Sequence, residues 1–134
     1  WIEAGKGVYS LVATSNPQGE SVQRAKIEDK TLAADQWNQL SSLNDTGFGP
    51  YGAVVGATLD LASFGIDSSI LNVPVLAPGF GAQGALLSEA GAIYGSLAKN
   101  VAFSVSRSVL KAGPAGIVDA INAANAELRI GLTK

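Results

Sequence analysis

Four short apolar segments limit how this chain can fold. They are residues 7–14 (GVYSLVAT), 52–58 (GAVVGAT), 73–78 (VPVLAP) and 101–107 (VAFSVSR). Each is rich in β-branched residues, and none alternates cleanly between apolar and polar. That pattern marks strands covered on both faces, as in a parallel sheet. Helical spacing appears between and after them. Ala33, Trp37 and Leu40 fall at i, i+4 and i+7, and Leu61 and Phe64 mark a shorter segment after the second strand. Residues 86–97 form a weaker helix pattern, interrupted by Gly91 and Gly95. Ile117, Ile121, Ala124 and Leu128 make one apolar stripe, and Pro114 pre-sets its first turn. The expected order is strand then helix, four times, with no inserted hairpin.

The polar stretches at 15–30 and 44–50 read as connections, the first with a turn at Asn16-Pro17-Gln18-Gly19. Neither resembles a linker, so residues 1–134 read as a single domain. Four parallel strands fit a doubly wound sheet. They equally fit half of a (β/α)8 barrel, in which a unit of roughly 30 residues repeats eight times. A half barrel leaves two strand edges and half a core uncovered. It needs a missing half, or a second copy of itself.

Composition removes several classes of function. Cysteine, methionine and histidine are absent, which excludes disulfides, thiolate or imidazole metal sites and histidine acid–base chemistry. The net charge is −2 with no basic stripe, which argues against nucleic-acid binding. Residues 68–88 carry no charge, but Pro74, Pro78, Gly79, Gly81 and Gly84 break the stretch too often for a membrane span. The start at Trp1, without an initiator methionine, reads as a processed or truncated product.

In parallel α/β folds ligands bind at the carboxyl ends of strands. After the third strand comes Pro78-Gly79-Phe80-Gly81-Ala82-Gln83-Gly84, a loop whose glycines let backbone N–H groups approach an anion. A plain tight turn is the competing reading, and Gln83 taken alone reads more as a solvated loop residue than as a ligand contact. Arg107 ends an otherwise apolar strand, where an unpaired charge is costly to bury. Its guanidinium suits a phosphate, and a salt bridge to a helix carboxylate is the alternative. Ser15 follows the first strand, as a ligand contact or, on residue physics alone, as a cap for the Asn16-Pro17 turn. Trp37 reads as core. Among the carboxylates only Asp60 lies just beyond a strand, and no catalytic set is visible. The chain reads as a phosphate-binding half site without its chemistry.

The segments 11–17 (LVATSNP), 52–58 (GAVVGAT), 77–84 (APGFGAQG) and 104–108 (SVSRS) together resemble orotidine 5′-phosphate decarboxylase, in its longer bacterial branch. The resemblance runs along nearly the whole chain, in order. It implies an α/β fold forming the C-terminal half, four βα units, of a (β/α)8 TIM barrel. It implies decarboxylation of orotidine 5′-monophosphate to UMP and CO2 in pyrimidine biosynthesis, with no metal or organic cofactor. By that likeness Ser15 contacts the pyrimidine edge, and Pro78 and Phe80 border the base. Gln83 bridges phosphate and base, Arg107 holds the phosphate, and Ser106 joins the substrate-binding set. The implied setting is a cytoplasmic homodimer. The family's acid–base segment, Asp-x-Lys-x-x-Asp, does not occur in this sequence. No catalytic residue is therefore expected here, and the N-terminal half that carries them is expected to be missing. Ala85 and Val109 stand where glycine and isoleucine are common. Another phosphate-binding barrel, such as a sugar-phosphate isomerase or aldolase, is the rival enzyme reading. A non-catalytic module that self-associates through its open edges is the third.

Overall fold

Apolar segments too short to alternate pair best with one another. In this computed structural model, which describes residues 2–133, they do so in parallel. The elements are β1 (Val8–Ala13), α1 (Pro17–Gln23), β2 (Lys26–Ile27), β3 (Lys30–Thr31), α2 (Leu32–Leu43), β4 (Tyr51–Val55), β5 (Val75–Ala77), α3 (Ala90–Tyr94), β6 (Val101–Phe103), α4 (Arg107–Leu110) and α5 (Gly113–Leu132). The main sheet runs β1-β4-β5-β6, in chain order and parallel throughout.

The sheet's two faces differ. Ala53, Val55, Val75 and Ala77 are at most 1% exposed and belong to the same core cluster as Trp37, Leu40, Tyr94 and Leu97. On the other face the register aligns Leu11 with Val54, Val54 with Leu76, and Leu76 with Ala102. Leu11 in that row is 60% exposed. Cover on both faces is therefore not what this chain achieves. Among the described residues, helices cover one face only, and the other face has no second layer.

Three other expectations need correction. The polar stretch 15–30 is not simply a loop. It holds α1, started by Pro17, and the antiparallel ladder between β2 and β3. A small hairpin therefore interrupts the strand–helix alternation. The helix after β4 shrinks to a single 3-10 turn, Ala62–Phe64, closed by Gly65 in the left-handed region. The segment around 86–97 breaks into a 3-10 turn, the five residues of α3 and a further 3-10 stretch that begins at Gly95, with φ at 53°.

α5 does form, with Pro at its start, but its stripe is only partly covered. Ile121 is 45% exposed. The helix packs on α4, α3 and the Leu87–Glu89 turn, and its tightest contact is near its C-terminal end. A Cβ on Gly131 would lie 2.2 Å from the Leu87 carbonyl oxygen, and one on Gly91 would lie 2.4 Å from the Gly131 carbonyl oxygen. Glycine at both positions lets two backbones meet there. Among the described residues no helix is long and apolar enough to cross a membrane.

Polar groups complete the frame. Thr31 caps α2 by accepting the Ala34 N–H at 3.0 Å, and the Trp37 indole N–H donates to the Asp67 carbonyl at 3.2 Å. Trp37 is fully buried, as core spacing requires. Asn44, 2% exposed, ends α2 and ties it to the sheet. Its Nδ2 donates to the carbonyls of Tyr51 (2.7 Å) and Asn72 (3.0 Å), and its Oδ1 accepts the Tyr51 N–H at 3.2 Å. Replacing Asn44 by Leu strands those three backbone groups. We expect a loss of about 2–4 kcal/mol in unfolding free energy, measured by urea denaturation.

Candidate functional site

All four strands of the main sheet point the same way, so their carboxyl ends open on one side. The loop after β5 is built there by its own backbone. Gly81 donates to the Ala85 carbonyl (2.8 Å), Gly84 to the Gly81 carbonyl (3.0 Å), and Ala85 to the Gly79 carbonyl (3.2 Å). Gly79, Gly81 and Gly84 all have positive φ, at 117°, 71° and 106°. These bonds leave the N–H groups of Ala82 and Gln83, at the tip, without a backbone acceptor among the described residues. Both residues are exposed. The Ala57 N–H donates to the Pro78 carbonyl at 2.9 Å and ties the loop's base to β4.

β6 is shorter than its sequence implied. It ends at Phe103, and Arg107 is the first residue of α4, not the last of a strand. Ser104 makes the last bond to β5, its N–H donating to the Ala77 carbonyl at 3.0 Å, and Ser106 does not continue the ladder, so Arg107 starts a helical turn at the surface. Arg107 is exposed. Among the described residues the one ion pair joins Arg24 to Glu20 at 2.8 Å. The salt-bridge alternative for Arg107 therefore has no partner carboxylate there.

Pro78, Phe80, Gln83, Ser106 and Arg107 line one small cleft, with Gly79, Ala82 and Ser104. Its volume is about 60 Å³. That is far below the roughly 300–1,000 Å³ of sites that enclose a small molecule, and it suits one compact group. Phe80 has little surface to offer. It is 3% exposed, with its ring centroid 5.6 Å from that of Phe103 and 6.5 Å from that of Tyr94. Tyr94 anchors this cluster through its hydroxyl, which donates to the Val55 carbonyl at 2.8 Å, and burial pushes its phenol pKa up.

Ser15 lies in a neighbouring cleft of about 190 Å³, with Thr14, Asn16, Thr58 and Asp60. The Gly56–Ala57 backbone separates the two clefts. A Cβ on Gly56 would lie 3.6 Å from the Ser15 nitrogen, and one on Gly79 would lie 3.4 Å from the Ala57 nitrogen. The capping role favoured for Ser15 is not found. Asn16 is the N-cap residue of α1, and the Ser15 hydroxyl makes no hydrogen bond among the described residues. Asp60 is occupied locally, accepting the Ala62 N–H at 3.2 Å.

Two residues of this region, read in the sequence only as part of segment 104–108, were given no role of their own. Ser104 lines the Arg107 cleft, and Ser108 supports the loop. A Cβ on Gly81 would lie 2.6 Å from the Ser108 Oγ, so the loop rests directly on the first turn of α4. Sequence spacing hid this contact, because the partners stand 27 positions apart in the chain. Gly81→Ala adds both a left-handed strain and this clash. We expect it to cost about 1–3 kcal/mol and to shift amide resonances in both the loop and α4. Denaturation and NMR spectra of the variant check the two effects.

Known proteins resemble this chain in sequence and in fold. No family model matches the chain. An orotidine 5′-phosphate decarboxylase from Streptomyces coelicolor is 42% identical over 116 residues, covering 84% of this chain and 41% of that protein. One from Salinispora arenicola is 40% identical over 134 residues, covering 96% of this chain and 48% of its own length. A crystal structure from Toxoplasma gondii, described as an orotidine-monophosphate decarboxylase, superposes with a TM-score of 0.76 at 26% identity. It is matched over 99% of this chain and 54% of its own. The UMP synthase of Leishmania donovani, at 23% identity and a TM-score of 0.58, shares the fold. The fold is thus four βα units of a TIM barrel. The chain belongs to the orotidine 5′-phosphate decarboxylase family, and spans about half the length of the curated relatives it matches.

Proposed function

We propose that this chain supplies the phosphate- and pyrimidine-binding half of a site that converts orotidine 5′-monophosphate to UMP and CO2. The observation that carries this reading is the shared cleft of Pro78, Gln83, Ser106 and Arg107, where the guanidinium meets no carboxylate among the described residues. In this reading Arg107 and the free N–H groups of Ala82 and Gln83 take the phosphate. Gln83 bridges phosphate to base, Pro78 and Phe80 border the base, and Ser15 takes the pyrimidine edge from the next cleft. Phosphate binding far from the breaking bond helps hold the loop closed over a desolvated site. A pre-set charge environment then favours the transition state as CO2 leaves. No Asp-x-Lys-x-x-Asp segment occurs in residues 1–134, so we assign the proton donor and opposing carboxylate to residues outside them. The same reading places the enzyme in the cytoplasm, as a homodimer.

A second reading, self-association of a non-catalytic half barrel, draws support from exposed area. The chain exposes 7733 Å². A compact monomer of its 13.6 kDa is expected to expose about 6,600 Å². Tyr9 and Leu11, 47% and 60% exposed on β1, lie at the uncovered edge.

Two measurements test these readings. Arg107→Ala is expected to weaken UMP binding by about 1.5–3 kcal/mol in calorimetric titration, while the 134-residue chain alone forms no UMP from orotidine 5′-monophosphate. Unchanged affinity removes Arg107 from the site, and rapid turnover by this chain overturns the division of labour. Sedimentation velocity tests the second reading. Self-association predicts a dimer that Leu11→Asp disrupts, and a monomer at every concentration rejects it.

A further inference from the structure

α1 ends on a polar side chain that the proposed chemistry does not use. Gln23 is 7% exposed, one of two buried polar residues among those described. It grips Thr14 at two points. The Thr14 N–H donates to Gln23 Oε1 at 3.1 Å, and Gln23 Nε2 donates to Thr14 Oγ1 at 2.9 Å. The Thr14 hydroxyl in turn donates to Asn16 Oδ1. Gly19 makes room for this meeting. A Cβ there would lie 2.9 Å from Asn16 Nδ2 and 3.1 Å from Gln23 Nε2.

The network thus fixes the residues on both sides of Ser15 and leaves the Ser15 hydroxyl itself unbonded. Thr14 lies just past the end of β1, where the ladder no longer holds the backbone. A buried side chain carboxamide replaces the missing strand partner, with one acceptor for the N–H and one donor for the hydroxyl. A group held within a fraction of an ångström by such support loses little freedom when it meets a ligand.

We infer that Gln23 is a positioning residue that aims Ser15 at the pyrimidine, through the hydrogen-bond chain Gln23–Thr14–Asn16. This rests on the reading that Ser15 meets the base. It goes further in assigning the base preference to a residue that touches no ligand.

The test compares UMP with ribose 5-phosphate, which shares the sugar and phosphate but lacks the base. Gln23→Met keeps an unbranched side chain and removes both bonds. It is expected to weaken UMP binding about tenfold and to leave ribose 5-phosphate unaffected, whereas Arg107→Ala weakens both. Gln23→Glu, which keeps an acceptor for the Thr14 N–H, should fall between wild type and Gln23→Met. Equal losses for the two ligands, or none, overturn the inference. Amide hydrogen exchange in the ligand-free chain reads the clamp independently of binding. Thr14, whose N–H donates to Gln23 Oε1, should exchange faster in Gln23→Met while Val75 and Ala77 in β5 do not. Unchanged exchange at Thr14 overturns the clamp. If the wild-type chain binds UMP no better than ribose 5-phosphate but the exchange effect holds, the base contact fails and the clamp stands.

Discussion

Parallel pairing of four short strands is the constraint on which the rest of the molecule depends. It sends every carboxyl end to the same side, so the loops after β1, β4, β5 and β6 become neighbours without any contact designed for that purpose. It also demands crossovers, and those place α2 and α3 on one face of the sheet. The apolar residues on that face bury completely, with Val55, Val75, Trp37 and Tyr94 among them. Burial at about 25 cal/mol per Å² drives this packing. Among the described residues the other face receives no such layer. That asymmetry explains why the chain has a good core and an excess of exposed surface together.

Backbone chemistry, more than side chains, shapes the ligand-facing end. Three glycines of positive φ fold the loop after β5 on itself, and Gly81 lets it rest on Ser108. The loop's internal bonds satisfy its base and leave donors at its tip. Buried polar side chains do the remaining positioning. Asn44 secures the amino-terminal end of β4, and Gln23 secures the carboxyl end of β1. Each does so by pairing with main-chain groups that no strand partner reaches.

Much of this was legible in residue order. The four apolar segments, the glycine loop and Arg107 all lie where local patterning suggested an α/β site. Local reading failed where short-range chemistry competed with it. In the stretch 15–30 the polar residues hid α1, because its few contacts with the core left no apolar stripe to read. Arg107 passed for a strand end because Val105 continues an apolar pattern that the hydrogen-bond ladder does not follow past Ser104. Ile121 lies on the apolar stripe the sequence showed and is still 45% exposed, because helical periodicity marks a face but not the presence of a partner for it.

By itself the sequence determined the four apolar strand segments, the helices that became α2 and α5, the loop's capacity for positive φ and the absence of the Asp-x-Lys-x-x-Asp segment. These follow from propensity, periodicity and residue identity, which act over a few neighbours. Only the tertiary structure decided that Pro78, Gln83, Ser106 and Arg107 share a cleft, that Ser15 stands one strand away, and that Gln23 reaches back to Thr14. Those relations join residues from separate segments, and they exist only once parallel pairing has brought the segments side by side. The uncovered face belongs to the same class, because a hydrophobic pattern states what prefers burial and packing alone states what is buried.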